Sequence, residues 1–316
     1  MPAVLVIGEL NVDIVLSGLA SPPQLGSEIL AQDLRMVLGS ASAIFANGVA
    51  RLGHRVGFRS KIGDDDFGRF CRDVLHEEGI ATDGLMVSSK PTGATIVLST
   101  RDDRALVTHL GAINDLHYRD LPAEPFRGFA HLHLTSYFLQ HELRPSFARL
   151  MREAKNAGLS VSFDPNSDPA QTWSAEIWEV MRLADLVFVN ETEAQALTGT
   201  ASIAEALSAL GERTSCAVVK QGRKGASAVR AEERIHANAF SIDAIDTTGA
   251  GDSFAAGFVH GMLTHRNLGD CLLIANAAGA LSAMNIGGTA GQPDGKQLEA
   301  FLHAHDSRVA EYSALR

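Results

Sequence analysis

Cysteine is scarce in this chain: Cys71, Cys216 and Cys271 are the three among 316 residues, far apart and set in apolar patterns. That spacing excludes a disulfide framework or a Cys-x-x-Cys metal site and fits a reducing cytoplasm. A surplus of positive charge is absent too. The formal net charge of −10 sets long-range repulsion against nucleic acid and anionic membranes, so neither is an expected partner. The opening MPAVLVIGELNVD has no basic leader and only a short apolar run before Glu9, too little for a signal peptide. The longest uncharged stretch, CLLIANAAGALSAMNIGG, contains two asparagines and reads as a buried helix, not a membrane span. Nucleotide fingerprints are missing as well. There is no Gly-x-x-x-x-Gly-Lys-Ser/Thr loop, and the dinucleotide pattern fails at Phe254, so any nucleotide must be held another way.

What is present is an ordinary folded composition, 46% hydrophobic and 20% charged, long enough for one large α/β core with an appendage. Short β-branched runs, AVLVIG, HLHLTS, LSVSFD, DLVFVN and CAVVKQG, alternate with helical stretches such as ELRPSFARLMREAKNAG, which stops at Lys155 and Gly158. This predicts a doubly wound, mostly parallel central sheet with helices on both faces. Several runs end in polar clusters, DPN at 164 to 166, NETE at 190 to 193 and QG at 221 to 222, where open α/β sheets carry their ligands. Two stretches, about 12 to 38 and 91 to 112, read as strands without an intervening helix, the second turning at RDDR. Together they predict a small β-sheet lid. The weak alternation of ATIVLST would leave apolar area on that sheet, which predicts a homodimer through the lid.

The densest chemistry lies in IDTTGAGDSFAAGF, residues 245 to 258. Phe254, Phe258 and Met262 follow at helical spacing, which places Asp252 in the first turn of a helix. The N–H groups of Gly249, Ala250 and Gly251 would face out beside the positive end of its dipole, suited to an anion, with Asp252 as a base. An ordinary capped helix would also favour an acid there. Ser253 as a hydrolase nucleophile is the other chemistry to weigh, but GDSFA departs from Gly-x-Ser-x-Gly at Ala255. The HLH at 131 to 133 puts two imidazoles on one strand face with no third ligand, so a core pair is expected before a metal site.

The stretch DTTGAGDSFAAGF resembles the C-terminal signature of the PfkB carbohydrate kinase family. GELNVDIV, LGSASAIFANGVARLG, KIGDDDFGRF and VNETEA fall where that family places its other elements, so the resemblance runs from about residue 4 to residue 290. It implies a single ribokinase-like domain over 1 to 316 and ATP-dependent phosphorylation of a hydroxymethyl group on a small sugar, with a nucleoside as the alternative acceptor. A non-catalytic sugar-binding sensor is a further alternative, of another class. By resemblance Asp252 is the catalytic base, and Gly249, Ala250 and Gly251 form the anion hole. Asn190 and Glu193 would hold Mg2+ through water, and Lys220, Gly222, Gly225 and Asn276 would lie at the nucleotide. Asp246 and Thr248 match positions that coordinate a monovalent cation such as K+ in some relatives. Asn11, Asp13, Gly39 and Ser40 would meet the acceptor. Asn190 as a plain helix cap, loop hydrogen bonding by Asp246 and Thr248, and solvated Arg223 and Lys224 remain open beside these roles. The chain departs from the family at Ser40, where many relatives have a second glycine, and at Ile44, where they have a substrate-binding asparagine. No basic residue stands in LGSASAIFANG, so a neutral sugar or nucleoside is expected over a sugar phosphate. Ile44 with Phe45, Tyr137 and Phe138 would offer the acceptor an apolar edge.

Overall fold

The computed structural model describes residues 1–100, 104–305 and 312–314. Among these, seven parallel strands form the heart of the larger sheet: β1 (Ala3–Ile7), β4 (Arg55–Gly63), β5 (Leu85–Ser88), β8 (His131–Thr135), β9 (Ser160–Asp164), β10 (Leu186–Asn190) and β11 (Ala217–Lys220). Antiparallel β12 (Ala226–Arg230), β13 (Glu233–Ala237) and β14 (Tyr312–Ala314) extend one edge, giving the order β14-β13-β12-β11-β10-β9-β8-β1-β4-β5. The alternation within single strands sends side chains to two different cores. Val4, Val6, Phe58, Phe188 and Val218 meet α1 (Ala41–Arg51), α7 (Ala250–Leu263) and α8 (Leu268–Ala283) on one face. Leu5, Ile7, Leu132, Phe163, Val187 and Val219 meet α3 (Phe147–Asn156), α4 (Ile177–Leu183), α5 (Glu191–Thr198) and α6 (Ile203–Gly211) on the other. Each such side chain contributes about 1.5–3 kcal/mol by leaving water, and burial on both faces explains why AVLVI and LVFVN carry no polar alternation, while the alternate His131, His133 and Ser162 of β8 and β9 are buried and bonded to one another.

The uncharged stretch after Cys271 is the buried helix α8, packed on α7 through small residues. A Cβ on Gly257 would stand 2.8 Å from that of Ala278, so the two axes approach more closely than larger side chains would allow.

A second sheet has the order β3-β2-β6-β7, from β2 (Asn11–Leu19), β3 (Asp33–Leu38), β6 (Gly93–Thr100) and β7 (Arg104–His109). β2 runs parallel to β6, while the β2–β3 and β6–β7 pairs are antiparallel. These are the two excursions expected from the sequence. β3 is shorter than the expected run, because residues 28 to 32 are irregular. Ser99 pairs with Arg104 across the hairpin, and 101 to 103, the rest of the RDDR turn, lie outside the described residues. Leu34, Met36, Leu106 and Val107 are exposed on this sheet. The one central strand hidden in the sequence is β4, whose RVGFRSKIG places charges at alternate positions like a surface segment. In the fold Lys61 lies between Asp115 and Asp120, its amine 2.8 Å from the latter, so its charge is paired at the sheet.

Candidate active site

The polar clusters that end β9, β10 and β11 converge at the carboxyl edge of the sheet. Asp164, the last residue of β9, is buried, and it accepts a 2.6 Å hydrogen bond from Nζ of Lys220 at the end of β11. Burial works against the Lys220 charge, yet Asp164, Glu193 and Asp252 together hold its pKa above the ordinary lysine value, so it is a fixed cation. Asn190 caps α5: its side chain accepts from the N–H of Glu193 at 2.9 Å, and Glu193 accepts from the N–H of Asn190 at 2.9 Å. The cap and the site residue are therefore the same pair. Burial, reinforced by the charge of Asp164, raises the Glu193 pKa.

The glycine loop enters α7 through Gly249, whose φ of 69° is left-handed and costs a residue with a Cβ more than glycine. A Cβ there would also stand 2.6 Å from Cα of Gly288. The N–H groups of Gly249, Gly251 and Asp252 have no protein acceptor among the described residues. That of Ala250 differs from expectation, since it donates to the Thr247 carbonyl at 3.3 Å. Lys220 reaches this helix start from below: its Nζ lies 3.3 Å from where a Cβ on Gly251 would be. The Asp252 carboxylate has no hydrogen-bond partner among the described residues. Burial, with Asp164, Glu9 and Glu193 nearby, raises its pKa well above the ordinary carboxylate range, against the opposing pull of Lys220. Perturbation of this kind by burial and named charges marks a group fitted for proton transfer. Ser253 is a different matter. It is buried, donates to Oγ of Ser282 at 3.0 Å and accepts from Nε2 of Gln292 at 2.8 Å, with no imidazole beside it, so it is not a hydrolase nucleophile.

At the head of the loop Asp246 accepts from the N–H and hydroxyl of Thr248 and from the N–H of Gly287. Arg104, at the start of β7, donates to the Thr248 hydroxyl at 2.6 Å and stands 3.7 Å from Asp246. The small sheet thus touches the glycine loop, a contact between residues 144 apart that no local pattern announces.

The acceptor candidates lie where β2 begins. Asn11 donates to Asp13 at 3.0 Å and to Thr95 at 3.3 Å, and a Cβ on Gly39 would stand 2.1 Å from Oδ1 of Asp13, so Gly39 is glycine for this close approach. Burial raises the Asp13 pKa to about 6. Ser40 adopts a φ of 72°, a strained conformation worth about 1–3 kcal/mol, where the family's glycine would be free of strain. Its hydroxyl offsets part of that by donating to the Glu9 carbonyl at 2.6 Å and accepting from the N–H of Ala43 at 3.0 Å. Glu9 itself is buried, its carboxylate accepting from Ser42, Ser136 and Gln140.

The apolar edge expected of Ile44, Phe45, Tyr137 and Phe138 does not assemble. Ile44 is buried under the loop, against Gly249 and Gly288. Phe45 stacks on His133 in one core, while Tyr137 and Phe138 belong to the core on the opposite face of the sheet. His131 and His133 are a core pair bonded to Ser160 and Ser162, and burial lowers the pKa of both. Gly222, Gly225 and Asn276 gather at the start of β12 and the end of β13. Asn276 donates to the carbonyls of Ala237 and Asn238, and a Cβ on Gly225 would collide with the Ala237 oxygen. Arg223 is exposed, and Lys224, largely exposed, reaches Glu191. The sequence reading passes over Glu9, Asp164, Arg104 and Gln292 as site residues, although Asp164 opens one of the polar strand-end clusters it notes.

Residues 1–295 match the model of the pfkB family carbohydrate kinases. The chain belongs to the pfkB family of carbohydrate kinases. As in that family, its activity is ATP-dependent phosphorylation of a sugar. It is 31% identical over 283 residues to the 2-dehydro-3-deoxygluconokinase of Bacillus subtilis, covering 84% of this chain and 87% of that one. A ribokinase II structure from Escherichia coli in complex with ATP and Mg2+ superposes with a TM-score of 0.85 at 26% identity, over 96% of this chain and all of that one. A double-mutant fructokinase from Vibrio cholerae, with fructose, ADP and potassium bound, gives 0.78 at 30% identity over 96% and 98%. These likenesses confirm the ribokinase-type architecture for this pfkB kinase. Among its described residues no helix is long and apolar enough to cross a membrane.

Proposed function

We propose that this pfkB kinase transfers the terminal phosphate of ATP to a hydroxymethyl group, with Asp252 as the base that takes the hydroxyl proton. One observation carries this reading. Asp252 stands in the first turn of α7, next to the unpaired N–H groups of Gly249 and Gly251, with its pKa raised and Lys220 beside it. Those N–H groups, with that of Asp252, face charge developing on the transferred group, and Lys220 adds a fixed positive charge; together they supply positioning and electrostatic stabilisation. Ala250, whose N–H is already bonded, shapes the turn.

The oxygens of Asn190 and Glu193, beside Asp164, are the hard donors that suit Mg2+ held through water. Mg2+ bound there would neutralise charge on the nucleotide phosphates. Gly222, Gly225 and Asn276 shape the end of β11 and β13 as a wall for the nucleotide. Asp246 keeps an acceptor position on Oδ2, and with Thr248 it is our candidate for a monovalent cation. A K+ titration of activity tests that role.

At the acceptor end, Asp13 and Asn11 receive and donate hydrogen bonds to vicinal hydroxyls over the bare backbone of Gly39, with Ser40 fixing the turn. The small sheet is the lid, and its Arg104 contact with Thr248 draws it over the site, excluding water from the transfer. A neutral sugar is the proposed acceptor, with a nucleoside as the second reading. The exposed apolar side chains of the lid support a homodimer through it, and the buried, unpaired thiols are those of a cytoplasmic protein. The test is a panel of neutral sugars, sugar acids and nucleosides with ATP and Mg2+, scored by acceptor-dependent ADP release. Binding of a sugar without ADP release would instead make the protein a sensor.

A further inference from the structure

Behind the site lies a buried polar network that the transfer chemistry does not use directly. Gln292 is 1% exposed. Its Nε2 donates to the Ile44 carbonyl of α1 at 2.8 Å and to Oγ of Ser253 on α7 at 2.8 Å, and its Oε1 accepts from Nδ2 of Asn47 at 2.7 Å. One carboxamide therefore spans the helix that starts at the acceptor turn and the helix that starts at the glycine loop. Ser253 follows Asp252 directly, and Ser40, the cap of α1, is one turn from Ile44. The helices are close enough for this because Gly48 lacks a side chain: a Cβ there would stand 2.9 Å from Ala256 and 2.9 Å from Nε2 of Gln292.

The amide orientations admit no flip. The Ile44 carbonyl requires the nitrogen of Gln292, and the Gln292 oxygen then requires the nitrogen of Asn47. That leaves Oδ1 of Asn47 buried without a partner among the described residues. A core selected for stability alone would replace two such amides by apolar side chains of similar volume, since a half-satisfied network is worse than an apolar one. Its retention points to geometry.

We propose that Gln292 is a positioning residue for phosphoryl transfer, setting the distance and angle between the acceptor turn at Gly39 and Ser40 and the base and anion hole at the start of α7. The inference rests on the kinase reading above. Misplacement of about 1 Å between reacting groups costs about a hundredfold in rate, so loosening this tie acts on turnover more than on either ligand's affinity.

The experiment measures kcat, both KM values and melting temperature for Gln292→Leu, Ser253→Ala, their double variant and the apolar pair Asn47→Leu/Gln292→Leu, with rates normalised to folded protein. Gln292→Leu is expected to lower kcat about tenfold to a hundredfold with KM for ATP and acceptor unchanged. Adding Ser253→Ala should cost less than it does in the unmodified protein, because both remove the same tie. The apolar pair should melt at or above the unmodified protein and remain slow. Full kcat in folded Gln292→Leu, or turnover restored together with stability in the apolar pair, overturns the proposal. Failure of the unmodified protein to release ADP with any acceptor would instead count against the kinase reading, which the same plates report separately.

Discussion

Lys220→Met removes the cation that faces Asp164, Glu193 and Asp252. Methionine keeps the length of the side chain, so the perturbation is chiefly the lost charge and its 2.6 Å hydrogen bond to Asp164. The Asp164 carboxylate is 2% exposed and would be left buried without its partner, a loss of about 3–5 kcal/mol. Against a total stability of about 5–15 kcal/mol, the variant folds but melts clearly lower. The second effect is on catalysis. A base must be ionised to act, so the rate is full above the Asp252 pKa and falls as pH drops through it. Burial has already raised that pKa, and Lys220 is the group that opposes the rise. Its removal raises the pKa further and moves the acid limb of kcat/KM to higher pH. Asp164→Asn/Lys220→Met serves as control: it removes the carboxylate that Lys220 pairs with directly, one of the anions acting on Asp252, while Glu193 still loses the charge of Lys220, so stability should return in part and the limb should move back. Calorimetry and a pH profile of kcat/KM read the two effects. An acid limb that stays in place or moves to lower pH in Lys220→Met would refute the electrostatic account of Asp252.

Asp252→Asn should keep nucleotide binding while lowering turnover by about two to four orders of magnitude, and Ser253→Ala should lose less; steady-state kinetics decide, and the reverse order would return Ser253 to the chemistry. Asp13→Ala should weaken every acceptor. In the unmodified protein acceptor affinity should fall as pH drops through about 6, where Asp13 becomes protonated and loses acceptor capacity; calorimetric titration that finds no such fall would show that Asp13 does not face the acceptor. Light scattering at micromolar concentration should give the mass of a dimer, and Leu106→Lys on the exposed lid face should shift it toward the monomer.

Five of the seven parallel strands, β1, β8, β9, β10 and β11, were legible in the sequence, because a strand buried on both faces leaves a run such as AVLVI or LVFVN, whereas β4, with its spaced charges, and the short edge strand β5 were not. The start of α7 and the place of Asp252 in its first turn were legible for a similar reason, since glycines and helical spacing are local signals. Even the Asn190–Glu193 cap is a four-residue pattern. Tertiary structure alone decided the rest. The pairing of Asp164 with Lys220 joins residues 56 apart, and the reach of Arg104 to Thr248 joins residues 144 apart. Phe45 and Tyr137 look alike in sequence as candidates for one apolar pocket, but the sheet passes between them and sends each to its own core. Ile44, a missing hydrogen-bond donor when read from sequence, proves to be a wedge under Gly249, and Gln292 ties its carbonyl to Ser253. Local pattern fixes backbone conformation and which face of an element is apolar. Which side chains then share a site depends on strand order and helix approach, and those are set by packing contacts that leave no period in the chain.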